Sequence, residues 1–234
     1  MYECKDIKDF KSISKIESLE FLDAHSTNIS DISFLVNNIN IKKLNLNECK
    51  DIKDFSSISK IERLEILEIS NIIVTNILFL EKNKNIKELN LTFCKNIKDF
   101  TPISKLERLR ILNVCFTNIS DISFLENNKN IKELNLEWCK DIKDYSFISK
   151  LKKLEYLNLK YTNISDISFL ENNINIKELN IVGCINIKDY SFISKLEKLE
   201  NLNLSDTNVS DISFLVKTKN IKELNLEECF NIKS

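Results

Sequence analysis

Residues 131–153 read IKELNLEWCKDIKDYSFISKLKK, and variants of this string recur along the whole chain. One cysteine series repeats every 45 residues, and two leucine series of the same period interleave at offsets of 22 and 23 residues. The cysteines are Cys4, Cys49, Cys94, Cys139, Cys184 and Cys229, and the leucines are Leu22, Leu44, Leu67, Leu89, Leu112, Leu134, Leu157, Leu179, Leu202 and Leu224. A leucine-spaced repeat this short predicts a solenoid in which each coil adds one strand to a parallel sheet.

Within residues 131–153, Leu134 and Leu136 lie two apart and point to the same side of a strand, whereas Asn135 points outward. Segments of the type SDISFLENN follow the alternate strands and predict a short 3₁₀ or α turn capped by a side-chain oxygen. Each carries a phenylalanine that we expect in one core column, namely Phe34, Phe79, Phe124, Phe169 and Phe214. Because the chain has one glycine and one proline, we expect asparagine to make its left-handed turns.

Composition excludes several classes of partner. Lysine and arginine number 34 and aspartate and glutamate 35, so no net charge favours nucleic acid or an anionic membrane. The apolar runs are far shorter than the ~20 residues that span a bilayer. The amino end, MYECKDIKDF, has neither a basic start nor an apolar segment. We therefore expect a cytoplasmic protein without nucleic-acid or membrane partners.

The cysteines are expected to be structural. They fall on alternate coils, so at ~4.8 Å per strand their backbones lie ~10 Å apart, too far for disulfides or shared metal ligands. Their interpretation as small buried thiols needs no metal and no cofactor. The single histidine, His25, is interpreted as a solvated residue at the exit of the first strand.

Other repeated polar residues also have structural explanations. Turn capping accounts for the aspartates Asp9, Asp31, Asp54, Asp99, Asp121, Asp144, Asp166, Asp189 and Asp211. A register-fixing charge ladder is predicted from Glu20, Lys42, Glu65, Lys87, Arg110, Lys132, Glu155, Lys177, Glu200 and Lys222. A side-chain ladder is predicted for the outward asparagines Asn90, Asn113, Asn135, Asn158, Asn180, Asn203 and Asn225. No nucleophile, phosphate-loop or zinc-protease motif occurs, so we predict that the protein is not an enzyme.

The chain resembles leucine-rich repeat proteins of two subtypes. TNISDISFLENNKNIKELNL, residues 117–136, is similar to the 22-residue repeats of internalins and phosphatase regulators. LNLEWCKDIKDYSFISKL, residues 134–151, resembles the cysteine-containing 23-residue repeats of F-box proteins. The resemblance implies an α/β solenoid, a horseshoe with a concave parallel β-sheet and short 3₁₀ or irregular convex segments. It also implies recognition of another protein.

The domain expected from the repeat is a single solenoid over residues 1–234, with ten strand-bearing coils and a partial N-terminal coil. Neither end has a recognisable cap, so we expect end-to-end self-association through unpaired edges. The coil at residues 64–85 departs from the pattern, because Ile72 replaces a threonine and Asn76 an aspartate. The sequence gives no physical account of these two changes.

The eighth position of each repeat, just past the strand, breaks the pattern; we call it the strand-exit position. It reads Ser26, Glu48, Asn71, Phe93, Phe116, Trp138, Tyr161, Gly183, Asp206 and Glu228. The four aromatic rings either pack on one another to cover the coil edge or form a recognition patch ~15 Å long. The protein-binding site predicted from the second alternative comprises Phe93, Phe116, Trp138, Tyr156 and Tyr161.

Further features are expected around those rings. Glu137 and Lys160 would form a polar rim, Cys115 would present a thiol at the edge, and Gly183 would leave a gap for a partner side chain. The predicted function is that of a non-enzymatic protein–protein interaction module that binds its partner through the concave face. The alternative is a regulatory or adaptor subunit, of the phosphatase or ubiquitin-ligase type, that acts only in a complex.

Overall fold

The computed structural model describes residues 9–232, so Cys4 and most of the predicted partial N-terminal coil lie outside the described residues. The chain divides into two compact units, Met1–Thr117 and Asn118–Ser234. Both units have the same architecture, in which short parallel strands alternate with 3₁₀ helices.

In the first unit the strands pair in chain order and in parallel, and their central leucines are in register. The strands are β1 (Phe21–Asp23), β2 (Lys43–Asn45), β3 (Ile66–Glu68), β4 (Glu88–Asn90) and β5 (Ile111–Asn113). The 3₁₀ helices are Lys11–Lys15, Ser33–Asn37, Ser56–Lys60, Leu78–Lys82 and Thr101–Lys105. The predicted alternation of strand and 3₁₀ turn is confirmed.

The second unit repeats this arrangement, again with parallel strands paired in chain order through their leucines. The strands are β6 (Glu133–Asn135), β7 (Tyr156–Asn158), β8 (Glu178–Asn180), β9 (Asn201–Asn203) and β10 (Glu223–Asn225). The 3₁₀ helices are Ser123–Asn127, Ser146–Lys150, Ser168–Asn172, Ser191–Lys195 and Ser213–Lys217. Every helix among residues 9–232 is thus a single short turn, none with the length and hydropathy to cross a membrane.

The core of each unit consists of the inward leucines and isoleucines, together with the predicted phenylalanines. Phe34, Phe124, Phe169 and Phe214 are buried, whereas Phe79 is only half-buried. The column also includes aromatic side chains of the alternate coils, because Phe79 stacks on Phe55 with ring centroids 6.0 Å apart. The column prediction is confirmed, with Phe79 as its most exposed member.

Buried asparagines of alternate coils each join their own coil to the coil directly before it. The Nδ2 of Asn173 donates to Ile148 O and Leu151 O, both at 3.0 Å. Asn38 and Asn83 make the same pair of hydrogen bonds to their own preceding coils. The expectation that asparagine makes left-handed turns is wrong at this position, because Asn173 has a φ of −108°. These residues instead provide a second donor to buried carbonyl groups, each of which already accepts one backbone N–H of its own coil.

Within residues 9–232 the cysteines of the 45-residue series are confirmed as buried thiols that lie against the preceding strand, except Cys229, which is half-buried. Cys184 Sγ donates to Leu159 O at 3.1 Å, and Thr162 Oγ1 donates to the same carbonyl at 2.8 Å. In the irregular coil Ile69 O accepts from Cys94 Sγ at 3.0 Å. Ile72 stands at the position of Thr162 and has no hydroxyl, so it cannot donate the second hydrogen bond to this carbonyl. Burial raises the pKa of Cys94 to about 11. The Ile72 departure therefore exchanges one hydroxyl donor for a buried apolar side chain.

The capping prediction is also confirmed, and the charge ladder is confirmed except at Arg110, which takes part in no ion pair among residues 9–232. Each predicted aspartate accepts a hydrogen bond from the backbone N–H two residues later, and Asn76 does the same for Leu78 N at 2.7 Å. Ion pairs along the ladder join Lys42 to Glu20, Lys87 to Glu65, Lys132 and Lys177 to Glu155, and Lys222 to Glu200. The Asn76 departure keeps the cap while it removes a charge.

The outward asparagines act differently from the prediction. Their Oδ1 atoms accept from the backbone N–H two residues later, as Asn135 does from Glu137 N at 3.0 Å. The same bond occurs at Asn90, Asn113, Asn158, Asn180, Asn203 and Asn225. These side chains therefore stabilise the turn that leaves each strand, and Asn158 Nδ2 also donates to Glu137 Oε2 of the preceding coil at 3.3 Å.

Replacing Asn173 with alanine tests the role of the buried asparagines. Asn173→Ala removes the donor to Ile148 O and Leu151 O, so we expect the free energy of unfolding to fall by about 2 kcal/mol or more. Asn172→Ala, at the exposed neighbouring position, should change it by less than about 0.5 kcal/mol. Urea denaturation measures both, and equal effects of the two substitutions would contradict this role.

Candidate functional site

The strand-exit position has a left-handed backbone in every described coil, a constraint not recognised from the sequence. Its φ angles are 55° at Ser26, 62° at Glu48, 53° at Asn71, 60° at Phe93, 56° at Phe116, 59° at Trp138, 55° at Tyr161, 66° at Gly183, 54° at Asp206 and 58° at Glu228. The geometry follows from a tight turn, since Cys94 N bonds to Leu91 O at 3.0 Å around Phe93. Such turns favour glycine, asparagine and aspartate at their left-handed residue.

The four aromatic residues therefore occupy positions where their local conformation is unfavourable. A left-handed backbone costs a residue with a Cβ roughly 1–2 kcal/mol, and it is rare for bulky side chains. Gly183 and Asn71 show that the same turn can be made by residues suited to it. Neither the fold nor the turn requires a ring at this position.

In the first unit Phe93 and Phe116 form a stacked pair. Their ring centroids lie 4.4 Å apart and their planes are inclined by 14°. Phe93 nevertheless remains 42% exposed, and Lys95 Nζ lies 5.9 Å from its ring centroid. Packing between the rings, one of the two alternatives raised by the sequence, thus leaves an accessible aromatic surface.

In the second unit Trp138 and Tyr161 form a tilted pair, with centroids 5.0 Å apart and planes inclined by 52°. Trp138 is 37% exposed, and Lys140 Nζ lies 4.0 Å from its ring centroid. Lys160 Nζ lies 5.4 Å from the Tyr161 centroid and 3.8 Å from Glu137 Oε1. The predicted polar neighbours Glu137 and Lys160 are therefore in place beside Tyr161.

Two expectations about the surroundings of the rings were wrong. A Cβ on Gly183 would overlap the Tyr161 ring, so this ring fills the gap predicted there. Gly183 is thus favoured both by its left-handed backbone and by the close approach of Tyr161. The Cys115 side chain is buried, with its Sγ 3.3 Å from Thr92 Oγ1, so it presents no thiol at an exposed edge.

Tyr156, the fifth predicted site residue, lies on the outward face of β7. It is half-buried and stands in register between Glu133 of β6 and Glu178 of β8. Burial raises the pKa of Tyr156, and the carboxylates of Glu178, Glu137 and Glu133 raise it further. The tyrosine borders a depression of about 600 Å³ that also contains Glu178 and Glu223.

These carboxylates were not identified from the sequence as part of a site. In the described part of the second unit, no ion pair engages Glu133, Glu178 or Glu223, whereas the ladder residue Glu200 is paired with Lys222 at 2.7 Å. The sequence did contain a sign of them. The first residue of each strand, from β6 to β10, is glutamate in alternate strands, with Tyr156 and Asn201 between the glutamates. This face of the second unit is therefore acidic around one aromatic ring.

His25 is exposed, as predicted, and it also has a partner that the sequence did not indicate. Its Nδ1 lies 2.7 Å from Asp23 Oδ1, and this contact raises the pKa of the His25 imidazole. Both side chains are exposed on the first coil. Among residues 9–232 no cluster of three or more histidine, cysteine, aspartate or glutamate side chains is arranged to hold a metal ion.

Comparison with solved structures places this geometry in a known fold. An internalin, InlF, from Listeria monocytogenes aligns over 93% of this chain and 70% of its own, with 24% identity and a TM-score of 0.76. A leucine-rich repeat protein from Leptospira interrogans aligns over 95% of this chain, with 22% identity and a TM-score of 0.82, and this chain spans 61% of its length. The chain thus has the leucine-rich repeat fold. No protein-family model and no curated protein sequence matches it.

A more distant likeness is to a plant peptide hormone receptor, RGFR1, solved in complex with RGF2. It aligns over 95% of this chain and 44% of the receptor, with 16% identity and a TM-score of 0.66. At these identities the likenesses show the fold alone. The internalin-type and F-box-type subdivision of the repeats stays a prediction.

Proposed function

We propose that this protein binds another protein through the outward, concave face of its sheet and the adjoining strand-exit rings. The observation that carries the proposal is the left-handed backbone of Phe93, Phe116, Trp138 and Tyr161. Glycine, asparagine and aspartate suit that backbone better, and the same position elsewhere in the chain has all three. Rings kept at unfavourable positions, with surface left exposed, are best explained by contact with a partner.

The energetic balance supports this interpretation. The left-handed conformation costs roughly 1–2 kcal/mol per residue, and aromatic pairing returns about 0.5–1.5 kcal/mol per pair beyond the apolar area that the rings bury. The ring–ring attraction therefore does no more than offset the backbone cost. A partner that covers Trp138 would gain from a large ring that is already ordered by Tyr161 and Lys140.

The chemistry of the partner is suggested by the face around Tyr156. A lysine or arginine placed over its ring would lie about 5 Å along the sheet from Glu133 and from Glu178, given the spacing of neighbouring strands. It would there combine a cation–π contact with two carboxylates that have no counter-ion in the described second unit. We therefore infer that the partner presents a basic segment to this face.

Binding through a sheet face requires no catalytic step, and we assign no enzymatic activity. The receptor complex with RGF2 supports the idea that this fold can hold a partner. The role of a regulatory or adaptor subunit stays a prediction, because it concerns what the bound partner does rather than how it is bound. Phe93 and Phe116 are proposed as the corresponding contact of the first unit.

Truncation of Trp138 tests the proposal. We expect Trp138→Ala to weaken binding of a partner captured by the wild-type protein by about 2 kcal/mol, or roughly thirtyfold, because an ordered ring is lost from the contact. Glu178→Gln should weaken the same complex and reduce its sensitivity to salt. Calorimetric titration of the purified pair measures both effects.

Val216→Ala, which shortens an exposed side chain on a 3₁₀ helix of the same unit, is the matched control and should leave the affinity unchanged. Circular dichroism and thermal unfolding establish that each variant keeps its fold. Wild-type affinity in a folded Trp138→Ala variant would show that these rings are not the contact.

Self-association through a sheet edge is proposed as a second kind of contact. Leu224 of β10 is 41% exposed although its register partner Leu202 is buried. A second copy that packs against this strand would bury Leu224 and extend the parallel sheet. Light scattering should then show a mass that rises with concentration and returns to the monomer mass in Leu224→Lys. A constant monomer mass at high concentration would refute it.

A further inference from the structure

A groove in the first unit lies between the 3₁₀ helices Ser56–Lys60 and Leu78–Lys82. Its volume is about 440 Å³, and its lining includes Phe55, Phe79, Ile73 and Leu78. Ile73 and Leu78 are 54% and 53% exposed, so two large apolar side chains face solvent beside the half-buried Phe79 ring. The groove is separate from the strand-exit rings and from the outward face of the sheet.

The exposed apolar side chains come from the irregular coil at residues 64–85. The position of Ile73 is asparagine in the other coils of its type, namely Asn28, Asn118, Asn163 and Asn208. The position of Leu78 is serine in those coils, namely Ser33, Ser123, Ser168 and Ser213. One coil has thus exchanged two polar residues for apolar ones at two positions that line a single groove.

These exchanges do not serve the fold. Asn163 Nδ2 donates to Lys140 O of the preceding coil at 2.9 Å, and Asn208 donates likewise to Ile185 O at 2.8 Å. Ile73 cannot make such a hydrogen bond. Its side chain is also largely exposed, so burial of apolar surface does not compensate for the lost bond. Asn76 Oδ1 still accepts from Leu78 N and caps the 3₁₀ helix. The local structure therefore does not depend on the apolar side chains of Ile73 and Leu78.

The second unit contains the corresponding groove in its polar form, between Ser146–Lys150 and Ser168–Asn172. Its volume is about 170 Å³, and Asn163 and Ser168 stand where the first unit has Ile73 and Leu78. Phe169 is buried there, whereas its counterpart Phe79 is half-buried. The same coil geometry therefore yields a small polar groove or a larger apolar one, according to these side chains.

The charges of the two grooves also differ in sign. The apolar groove is lined by Lys53, Lys82 and Asp54, two positive charges and one negative. The polar groove is lined by Lys143, Asp144 and Asp166, one positive charge and two negative. The difference arises in part from Asn76, which stands where the polar groove has Asp166. A ligand that presents an apolar group beside a negative charge is favoured by the first groove and disfavoured by the second.

We propose that the groove between Ser56–Lys60 and Leu78–Lys82 is a docking site for a partner protein segment that presents an apolar side chain next to a carboxylate. The apolar side chain packs on Ile73, Leu78 and Phe79, and Lys53 or Lys82 pairs with the carboxylate. This contact is independent of the strand-exit rings, because no residue is shared between the two sites.

Two synthetic peptides test the proposal with the full chain. Both have a central Phe-Leu pair, flanked by glutamates in one and by lysines in the other. Titrations followed by methyl NMR should show the glutamate peptide shifting the Ile73 and Leu78 signals. We expect the lysine peptide to bind at least about tenfold more weakly, because its charges face Lys53 and Lys82.

The polar groove supplies the matched variants. Ile73→Asn/Leu78→Ser gives the apolar groove the side chains of its counterpart and should weaken the glutamate peptide about tenfold or more. Asn163→Ile/Ser168→Leu builds the apolar pair into the second unit and should create shifts there. Trp138→Ala should leave the titration unchanged, so a failure of the ring proposal can be told apart from a failure of this one.

Equal binding of the two peptides, or unchanged binding by Ile73→Asn/Leu78→Ser, would overturn the proposal. If the double variant does not fold, Leu78→Ser alone replaces it, and unchanged binding by that variant would overturn the proposal equally. Peptide-induced shifts located at Trp138 or Tyr156 instead of Ile73 and Leu78 would also count against it.

Discussion

Every coil of this protein has to reverse its direction at the end of a three-residue strand, and a left-handed residue makes that turn. The reversal brings the residue after the turn back towards the core, where Thr162 donates to the carbonyl at the end of its own strand and Cys184 donates to the carbonyl at the end of the preceding strand. It also keeps the leucines of successive strands in register. Coils that did not turn at the same place could not bury their leucines against one another, so the packing of each unit depends on this turn.

The buried polar groups follow from the same constraint. The buried carbonyls at these turns each accept one backbone N–H of their own coil, and buried side chains add further donors to them. In the second unit Cys184 and Asn173 donate from the following coil and Thr162 donates within its own coil, each to a carbonyl at a fixed place in the repeat. The repetition of these residues along the sequence reflects that requirement.

Periodicity therefore allowed the strands, the buried thiols, the aspartate caps and the charge ladder to be predicted from the sequence. The conformation of individual side chains could not be predicted in the same way. Placement of Tyr161 over Gly183, and burial of Cys115, depend on the direction a side chain takes after a turn, which no spacing encodes. One signal was available, since Gly183, Asn71 and Asp206 at the strand-exit position are the residues typical of left-handed turns.

Departures from the repeat are the places where this protein differs from a purely structural array. The strand-exit rings and the apolar pair Ile73 and Leu78 both occur where the repeat itself would accept small or polar residues. The central claim is that the rings at the left-handed positions are not needed for folding. Replacement of Phe93, Phe116 and Trp138 by glycine, one at a time, measures this directly through the free energy of unfolding.

Glycine relieves a backbone cost of roughly 1–2 kcal/mol, which offsets the ring–ring attraction of about 0.5–1.5 kcal/mol, so the remaining loss is that of the apolar area that the partly exposed rings bury. We therefore predict losses of less than about 2 kcal/mol for each replacement. Gly183→Ala, which introduces the backbone cost and an overlap with Tyr161, should by contrast be clearly destabilising. A loss of about 3 kcal/mol or more on replacing any of the three rings, as expected for a core aromatic residue, would contradict the account.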